Sequence, residues 1–376
     1  MVTNNNELNC LVKQLLNEPF IALDTEFYWR NTYYPQLCLI QIATPSDIYI
    51  IDTLATEMSL DLLTPVLETH EVCKIMHAAN NDIKILHHYL NCQVNNIFDT
   101  QTAMAFLGHS HQLSLANTLN ELGIGILDKQ QKTSDWRTRP LSDLQLNYAK
   151  EDIAYLIHTH QLLQQRLQAL GWLDAFYEEM KVIVNSHFTN AHAAPFKFKN
   201  QLMRLNGKAY DNVITLSIWR EQYAQNRNWV VRYILSDDEL LKIAKLNPVN
   251  EQMLINSKIL SAKKLHYLGA KIIDLLINNN VASHSFKLKS HPYPMVAKDL
   301  LNQCFAYIEQ LAKDHQLSLA LICSKQELKE FLCDYLHAPL YLRGKLTQSW
   351  RYEKFIQPVC KLIDKLRLKS DYKTLN

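Results

Sequence analysis

Asp24 and Glu26 are two carboxylates spaced for one face of a β-strand. They close the run Phe20-Ile-Ala-Leu-Asp-Thr-Glu-Phe27, in which six of eight residues are apolar or Thr, the composition of a buried strand. Strand side chains alternate, so residues two apart point the same way. Buried like charges repel and are costly unless neutralised. Such a pair needs a shared proton or cations, and Mg²⁺ or Mn²⁺ suits an all-carboxylate set. A strand end that reaches solvent is the other way to accommodate it.

Further residues invite chemistry. Asp82 lies in His77-Ala-Ala-Asn-Asn-Asp-Ile-Lys-Ile-Leu-His, ahead of the apolar stripe Ile83, Leu86 and Leu90. That places it in the N-terminal half of a helix, where a carboxylate gains from the dipole, as a ligand or as a plain capping acid. Ser142-Asp-Leu-Gln145 is a capping box that starts a helix near Asp143. Tyr148 and Asp152 are four apart on that helix and share a face, as a hydrogen-bonded pair or as a working pair. The polar loop from Leu127 to Pro140 holds Lys129, Lys132, Arg137, Arg139 and Trp136. Its cations suit phosphates, and Trp136 suits stacking on a base or inward packing.

The elements that must position these residues follow in order. Leu8–Leu16 predicts a short amphipathic helix. Phe20–Phe27, Gln36–Ala43 and Asp47–Asp52 predict three strands in a meander, with a turn at Thr44-Pro45-Ser46-Asp47. From Ser59 to Leu107, helices alternate with short strands at Cys73–Met76 and Ile97-Phe98. The periodicity after Ser142 predicts one helix that runs until Gly171. The sum is a mixed sheet with helices on its faces.

The chain has 376 residues, 48% hydrophobic and 20% charged, the composition of a globular protein of two or three domains. No apolar run approaches about 18 residues, which predicts no membrane span, and the N-terminus lacks the pattern of a signal peptide. Eight scattered Cys with no C-x-x-C fit free thiols in a reducing cytoplasm. The net +2 hides an asymmetry. Residues 1–190 hold 11 Lys and Arg against 21 Asp and Glu, and residues 191–376 hold 28 against 16. The acidic half suits a carboxylate-lined metal site, and the basic half suits a polyanion such as nucleic acid.

From Gly207 the pattern is almost all helical. Ala209–Arg227 predicts one helix, Asn228–Leu235 an extended connector, and Ser236-Asp-Asp-Glu239 a second capping box. Residues 293–376 repeat this order in diverged form. There Ser318–Ile322 stands for the connector, Ser324-Lys-Gln-Glu327 for the box, and Leu342–Arg351 for the tail.

D-x-E on a first strand, a mid-domain Asp and Y-x-x-x-D on a late helix resemble the DEDD 3′→5′ exonucleases of the Tyr subclass, and among them ribonuclease D. Tyr34-x-Gln36-Leu-Cys-Leu-Ile-Gln-Ile-Ala, Phe98-Asp-Thr-Gln-x-Ala and Thr133-Ser-Asp-Trp136-x-x-Arg139-Pro-Leu-Ser resemble the family's connecting segments. Trp219-Arg-Glu, Val231–Leu241 and Leu246-Asn-Pro resemble the HRDC (helicase and ribonuclease D C-terminal) domain.

The resemblance implies a ribonuclease H-like α/β catalytic domain at residues 1–170, a connector at 171–205, and two all-α HRDC-type bundles at 206–285 and 290–376. It implies Asp24, Glu26, Asp82 and Asp152 as ligands of two divalent ions, Mg²⁺ or Mn²⁺, with Tyr148 catalytic. It places Thr25 and Phe27 beside a terminal nucleotide, and we add His77, Trp136 and Arg139 as candidate substrate contacts. The implied activity is a 3′→5′ exoribonuclease that releases nucleoside 5′-monophosphates, for example in tRNA 3′ maturation. With the reducing compartment read from the cysteines and the lack of an apolar span, we expect a cytoplasmic protein, a monomer with no obligate protein partner, that binds RNA and no membrane. The same chemistry on DNA, or an RNA-binding protein without catalysis, are the alternatives.

Overall fold

The computed structural model describes residues 1–125, 134–186, 194, 197–202, 204–205, 207–278, 296–337, 344–347 and 349–373. Two compact units emerge. The first comprises Met1–Tyr28, Leu37–His187 and Tyr293–Asn376, and the second comprises Trp29–Gln36 and Phe188–Pro292.

The first unit is built on a five-stranded sheet of order β3-β2-β1-β4-β5. Its strands are β1 (Phe20–Tyr28), β2 (Gln36–Ala43), β3 (Ile48–Asp52), β4 (Cys73–Met76) and β5 (Ile97–Asp99). β2 and β3 run antiparallel, whereas β1, β4 and β5 run parallel, with Phe20 opposite Cys73 and Met76 opposite Asp99. The sheet is mixed, as the sequence predicts. Apart from Gln36, every residue of β2 is buried, which is why its sequence reads as a continuous apolar run.

Among the described residues up to Ser186, eight α-helices accompany the sheet. They are α1 (Asn5–Leu15), α2 (Thr64–Glu68), α3 (Asn80–Leu90), α4 (Thr100–Phe106), α5 (Leu115–Leu122), α6 (Asp143–Ala154), α7 (Leu156–Ala169) and α8 (Leu173–Ser186). The helix predicted to run unbroken from Ser142 to Gly171 is two. The chain breaks at Tyr155, whose carbonyl accepts both the Thr159 N–H (2.9 Å) and the Thr159 hydroxyl (2.8 Å). A Thr hydroxyl bonding back four residues is a known cause of helix bends.

The second unit carries α9 (Lys199–Leu202), α10 (Gly207–Arg227), α11 (Val231–Ile234), α12 (Asp237–Leu246), α13 (Glu251–Ser257) and α14 (Ala262–Ile277). Its core gathers Val213, Leu216, Trp219, Ile234, Leu240, Ile243, Leu254, Leu268 and Ile272. The connector expected to be extended coils into the single turn α11, and Leu235 is extended before the Ser236 capping box.

The last segment returns to the first unit with α15 (Lys298–Asp314), α16 (Leu319–Ile322), α17 (Lys325–His337), α18 (Ser349–Arg351), a π-helical turn at Tyr352–Ile356, and α19 (Gln357–Lys373). It repeats the order long helix, one-turn connector, capping box. Ser324 N–H donates to Glu327 (2.7 Å), and Glu327 N–H donates to the Ser324 hydroxyl (3.2 Å). One apolar core runs from Ala22, Ile75 and Phe98 of the sheet through Phe106, Trp172 and Phe176 to Cys304, Ile308, Trp350 and Phe355. Buried Arg351 pairs with buried Glu179 of α8 and donates to the Leu321 carbonyl (2.9 Å). Part of the predicted tail, residues 342–343 and 348, lies outside the described residues. No helix among the described residues is long and apolar enough to cross a membrane.

Candidate active site

β1 carries Asp24 and Glu26, and α6 carries Tyr148 and Asp152 one turn apart. α6 is started by the full capping box. The Ser142 hydroxyl accepts from Gln145 N–H (3.2 Å), and the Gln145 side chain accepts from Ser142 N–H (3.0 Å). Carboxylate oxygens of Asp24, Glu26 and Asp152 lie within 4.8 Å of one another, and all three side chains are half-buried. Asp82 stands outside this trio. It lies in the first turn of α3, is buried, and accepts a hydrogen bond from the Thr25 hydroxyl.

The acids pay electrostatically for this proximity. Burial, then the charges of Asp82, Glu26 and Asp152, raise the Asp24 carboxyl well above its usual range. Burial, then Asp152 and Asp82, push Glu26 up to about 9. Burial lifts Asp82 to about 6, against the Thr25 hydrogen bond, which favours its anion. Tyr148 is held above the ordinary phenol range by burial first, then by the charge of Asp152 and the hydrogen bond to it. Its hydroxyl therefore stays protonated at neutral pH. Three converging oxygen donors that resist carrying negative charge together fit a hard divalent cation.

The remaining candidates are placed as follows. Thr25 is buried and tethers Asp82, while Phe27 packs against the apolar core behind the sheet. His77 has both ring nitrogens engaged, with Nδ1 2.9 Å from the Thr100 hydroxyl and Nε2 donating to the Leu113 carbonyl (3.0 Å). Trp136 is 2% exposed and lies 6.0 Å from the Tyr148 ring, packed inward rather than offering a face to a base. Arg139 makes a two-pronged ion pair with Asp52 of β3, at 2.6 Å for each prong, and also donates to the Cys38 carbonyl (3.0 Å). That guanidinium is committed to anchoring the segment before α6. The rest of the cationic loop, residues 126–133, lies outside the described residues.

Two acids that the sequence reading passed over position the site. Asp52 holds Arg139, as above. Asp99 ends β5 and caps α4 by accepting from Gln101 N–H (2.9 Å). It also accepts from Ala78 N–H (3.0 Å) and Ala79 N–H (3.3 Å). Ala78 is left-handed (φ 59°), a costly state for a residue with a Cβ, and these bonds hold it there. The turn so fixed launches α3 and hence Asp82. The one signal available was Phe98-Asp-Thr-Gln, a segment otherwise without an assigned task.

Comparisons with known proteins point to the 3′–5′ exonucleases. Residues 1–168 match the family model for a 3′-5′ exonuclease, and residues 214–276 match that of the HRDC domain. The chain is 32% identical to ribonuclease D of Desulfotalea psychrophila over 367 residues, covering 94% of this chain and 95% of that protein. It is 32% identical to ribonuclease D of Gluconacetobacter diazotrophicus over 250 residues, covering 66% of this chain and 64% of that protein. The chain belongs to the ribonuclease D family. The crystal structure of Escherichia coli RNase D, described as an exoribonuclease involved in structured RNA processing, shares the fold. Its TM-score is 0.83 at 24% identity, over 97% of this chain and 98% of that one.

Proposed function

We propose that the protein is a divalent-metal-dependent 3′→5′ exoribonuclease that releases nucleoside 5′-monophosphates from structured RNA such as tRNA precursors. The carrying observation is the convergence of Asp24, Glu26 and Asp152, with Tyr148 hydrogen-bonded to Asp152. Asp24, Glu26 and Asp152 would hold a metal, with Asp82 joining them at a second. Bound Mg²⁺ or Mn²⁺ would activate water and stabilise the leaving 3′-oxygen. Tyr148 keeps its proton and donates it toward Asp152, so its oxygen lone pair is left to orient the attacking water. Asp82, held by Thr25, retains a fixed place whether or not it is ionised.

The division of the chain follows. Residues 1–170 form the catalytic domain, 171–205 the connector, 206–285 the HRDC domain, and 290–376 a diverged copy of it. The repeated helix, one-turn connector and capping box support the last assignment. We place the protein in the cytoplasm as a monomer with RNA as its partner.

The test is product analysis on a 3′-labelled tRNA precursor, with and without EDTA. Mononucleotides should appear in Mg²⁺ or Mn²⁺ and vanish in EDTA. Asp24→Asn should abolish trimming and leave RNA binding in place, and retained turnover in that variant would sink the assignment. Competition between matched RNA and DNA 3′ ends decides the sugar.

A further inference from the structure

We propose that Trp29, Trp229 and Tyr233, flanked by Arg227 and Arg232, form a surface of the second unit on which unpaired bases of RNA stack. The inference rests on the reading of the protein as an RNA-processing nuclease and adds to it a binding surface outside the acidic cluster.

The chain has six Trp. Trp136, Trp172, Trp219 and Trp350 are buried, at 8% exposure or less, whereas Trp29 is 54% and Trp229 50% exposed. Tyr233 is 50% exposed as well. These three rings come from segments nearly 200 residues apart in sequence that the structure fastens side by side. Asn228 Oδ1 accepts from Tyr34 N–H (2.9 Å), and the Tyr233 hydroxyl donates to Asn31 Oδ1 (3.3 Å). The Tyr33 hydroxyl donates to Glu221 (2.6 Å) and accepts from Gln225 Nε2 (3.1 Å). Trp29 Nε1 donates to the Thr32 carbonyl (3.1 Å), which fixes its indole on the loop.

Arginines interleave with the rings. The Arg232 guanidinium lies 5.6 Å from the Tyr233 ring, and Arg227 lies 5.6 Å from Tyr223, whose ring is 6.5 Å from Trp229. Both arginines are exposed, and neither makes an ion pair among the described residues. Residues 29–36 and 188–292 together hold 16 Lys and Arg against 7 Asp and Glu, a net +9. A protein partner for exposed aromatic rings needs no such charge. Single-stranded nucleic acid needs both, since bases stack on aromatic faces while cations meet the phosphates. Four of the six Trp show that this sequence can bury indoles. The two that it leaves in water stand on segments joined by these hydrogen bonds, beside arginines that make no ion pair among the described residues.

The test uses the full-length protein in EDTA, where turnover stops, and reads the anisotropy of labelled 12-nucleotide oligo(A) and oligo(U). Trp29→Leu, Trp229→Leu and Tyr233→Leu should each weaken oligo(A) binding about five- to a hundredfold. Trp229→Phe should restore most of the loss, and oligo(A) should bind more tightly than oligo(U). Hydrolysis of a dinucleotide in Mn²⁺ should match the unsubstituted protein in every variant, which also certifies their folding. If the unsubstituted protein binds and trims RNA but the leucine variants bind it equally well, the stacking surface is overturned. Unchanged RNA affinity with altered self-association overturns it too, and assigns the face to protein docking. If the unsubstituted protein neither binds nor trims RNA, it is the nuclease reading that fails.

Discussion

Replacing Glu26 by Gln should stabilise the metal-free protein while destroying its activity. Burial and the charges of Asp152 and Asp82 hold the Glu26 carboxyl at about 9, against 4.5 for the free side chain. A carboxyl whose pKa is raised on folding keeps its full contribution below 4.5 and loses it as pH rises through 9. At pH 7 the loss spans about 2.5 pH units at 1.36 kcal/mol each, or about 3 kcal/mol. At pH 9 it grows to about 6 kcal/mol. Gln keeps the shape and carries no charge, so the variant escapes this loss. Urea unfolding in EDTA, followed by Trp fluorescence at pH 4.5, 7 and 8.5, measures it. The two proteins should coincide at pH 4.5 and diverge as pH rises, with Glu26→Gln the more stable. Saturating Mn²⁺ should close the gap from the other side, because a ligand at a hundredfold its Kd adds about 2.7 kcal/mol to the protein that binds it. A variant no more stable than the original at pH 8.5 in EDTA, or a difference of equal size at pH 4.5, would refute the electrostatic account of the site.

Three further outcomes follow from other places in the fold. His160 is buried between Phe20 and Phe98 (ring centroids 5.8 and 4.5 Å), and burial lowers its pKa to about 4. Its contribution is complete above pH 6.5 and falls away by about 3 kcal/mol toward pH 4, so His160→Phe should flatten the acid limb of a melting-temperature profile. Gly108 sits at φ +87°, and a Cβ there would meet the Gln316 carbonyl oxygen at 2.9 Å, so Gly108→Ala should cost about 1–3 kcal/mol in urea unfolding. Arg351→Met strands buried Glu179 and should cost about 3–5 kcal/mol, whereas Arg351→Met with Glu179→Met should recover most of it in a double-mutant cycle.

Local rules carried a good part of the site, and long-range pairing carried the rest. Asp24 and Glu26 declared themselves through the two-residue period of a strand, and Tyr148 and Asp152 through a capping box that set the helical phase. Each of those inferences needs fewer than a dozen consecutive residues. Trp136 and Arg139 defeated the same approach. A polar loop with cations and an indole reads alike whether the indole faces solvent or Tyr148. The answer for Arg139 lies 87 residues upstream, at Asp52. Asp99 was missed for the same reason, since its partners at Ala78 and Ala79 belong to the preceding strand–helix junction. The break at Tyr155 was not legible, because Thr159 fits a continuous helix as well as a bent one.

The two helical repeats show how one pattern can meet different fates. Each has a Ser–Glu capping box after a one-turn connector, and in each a buried arginine donates to a connector carbonyl. Arg220 reaches the Leu235 carbonyl at 2.8 Å, and Arg351 reaches that of Leu321 at 2.9 Å. A chain leaving a helix exposes carbonyls that burial would otherwise strand, and a guanidinium has donors enough to satisfy them. The difference lies in the second partner. Arg220 pairs with Asp237, which is exposed and belongs to its own unit. Arg351 pairs with Glu179, buried on α8 of the first unit, beside Trp350 packed on Phe106 and Trp172. The Arg351–Glu179 pair ties the C-terminal segment to α8 inside the first unit, where both contribute to one apolar core, whereas Arg220 and Asp237 pair within the second unit, which closes a core of its own.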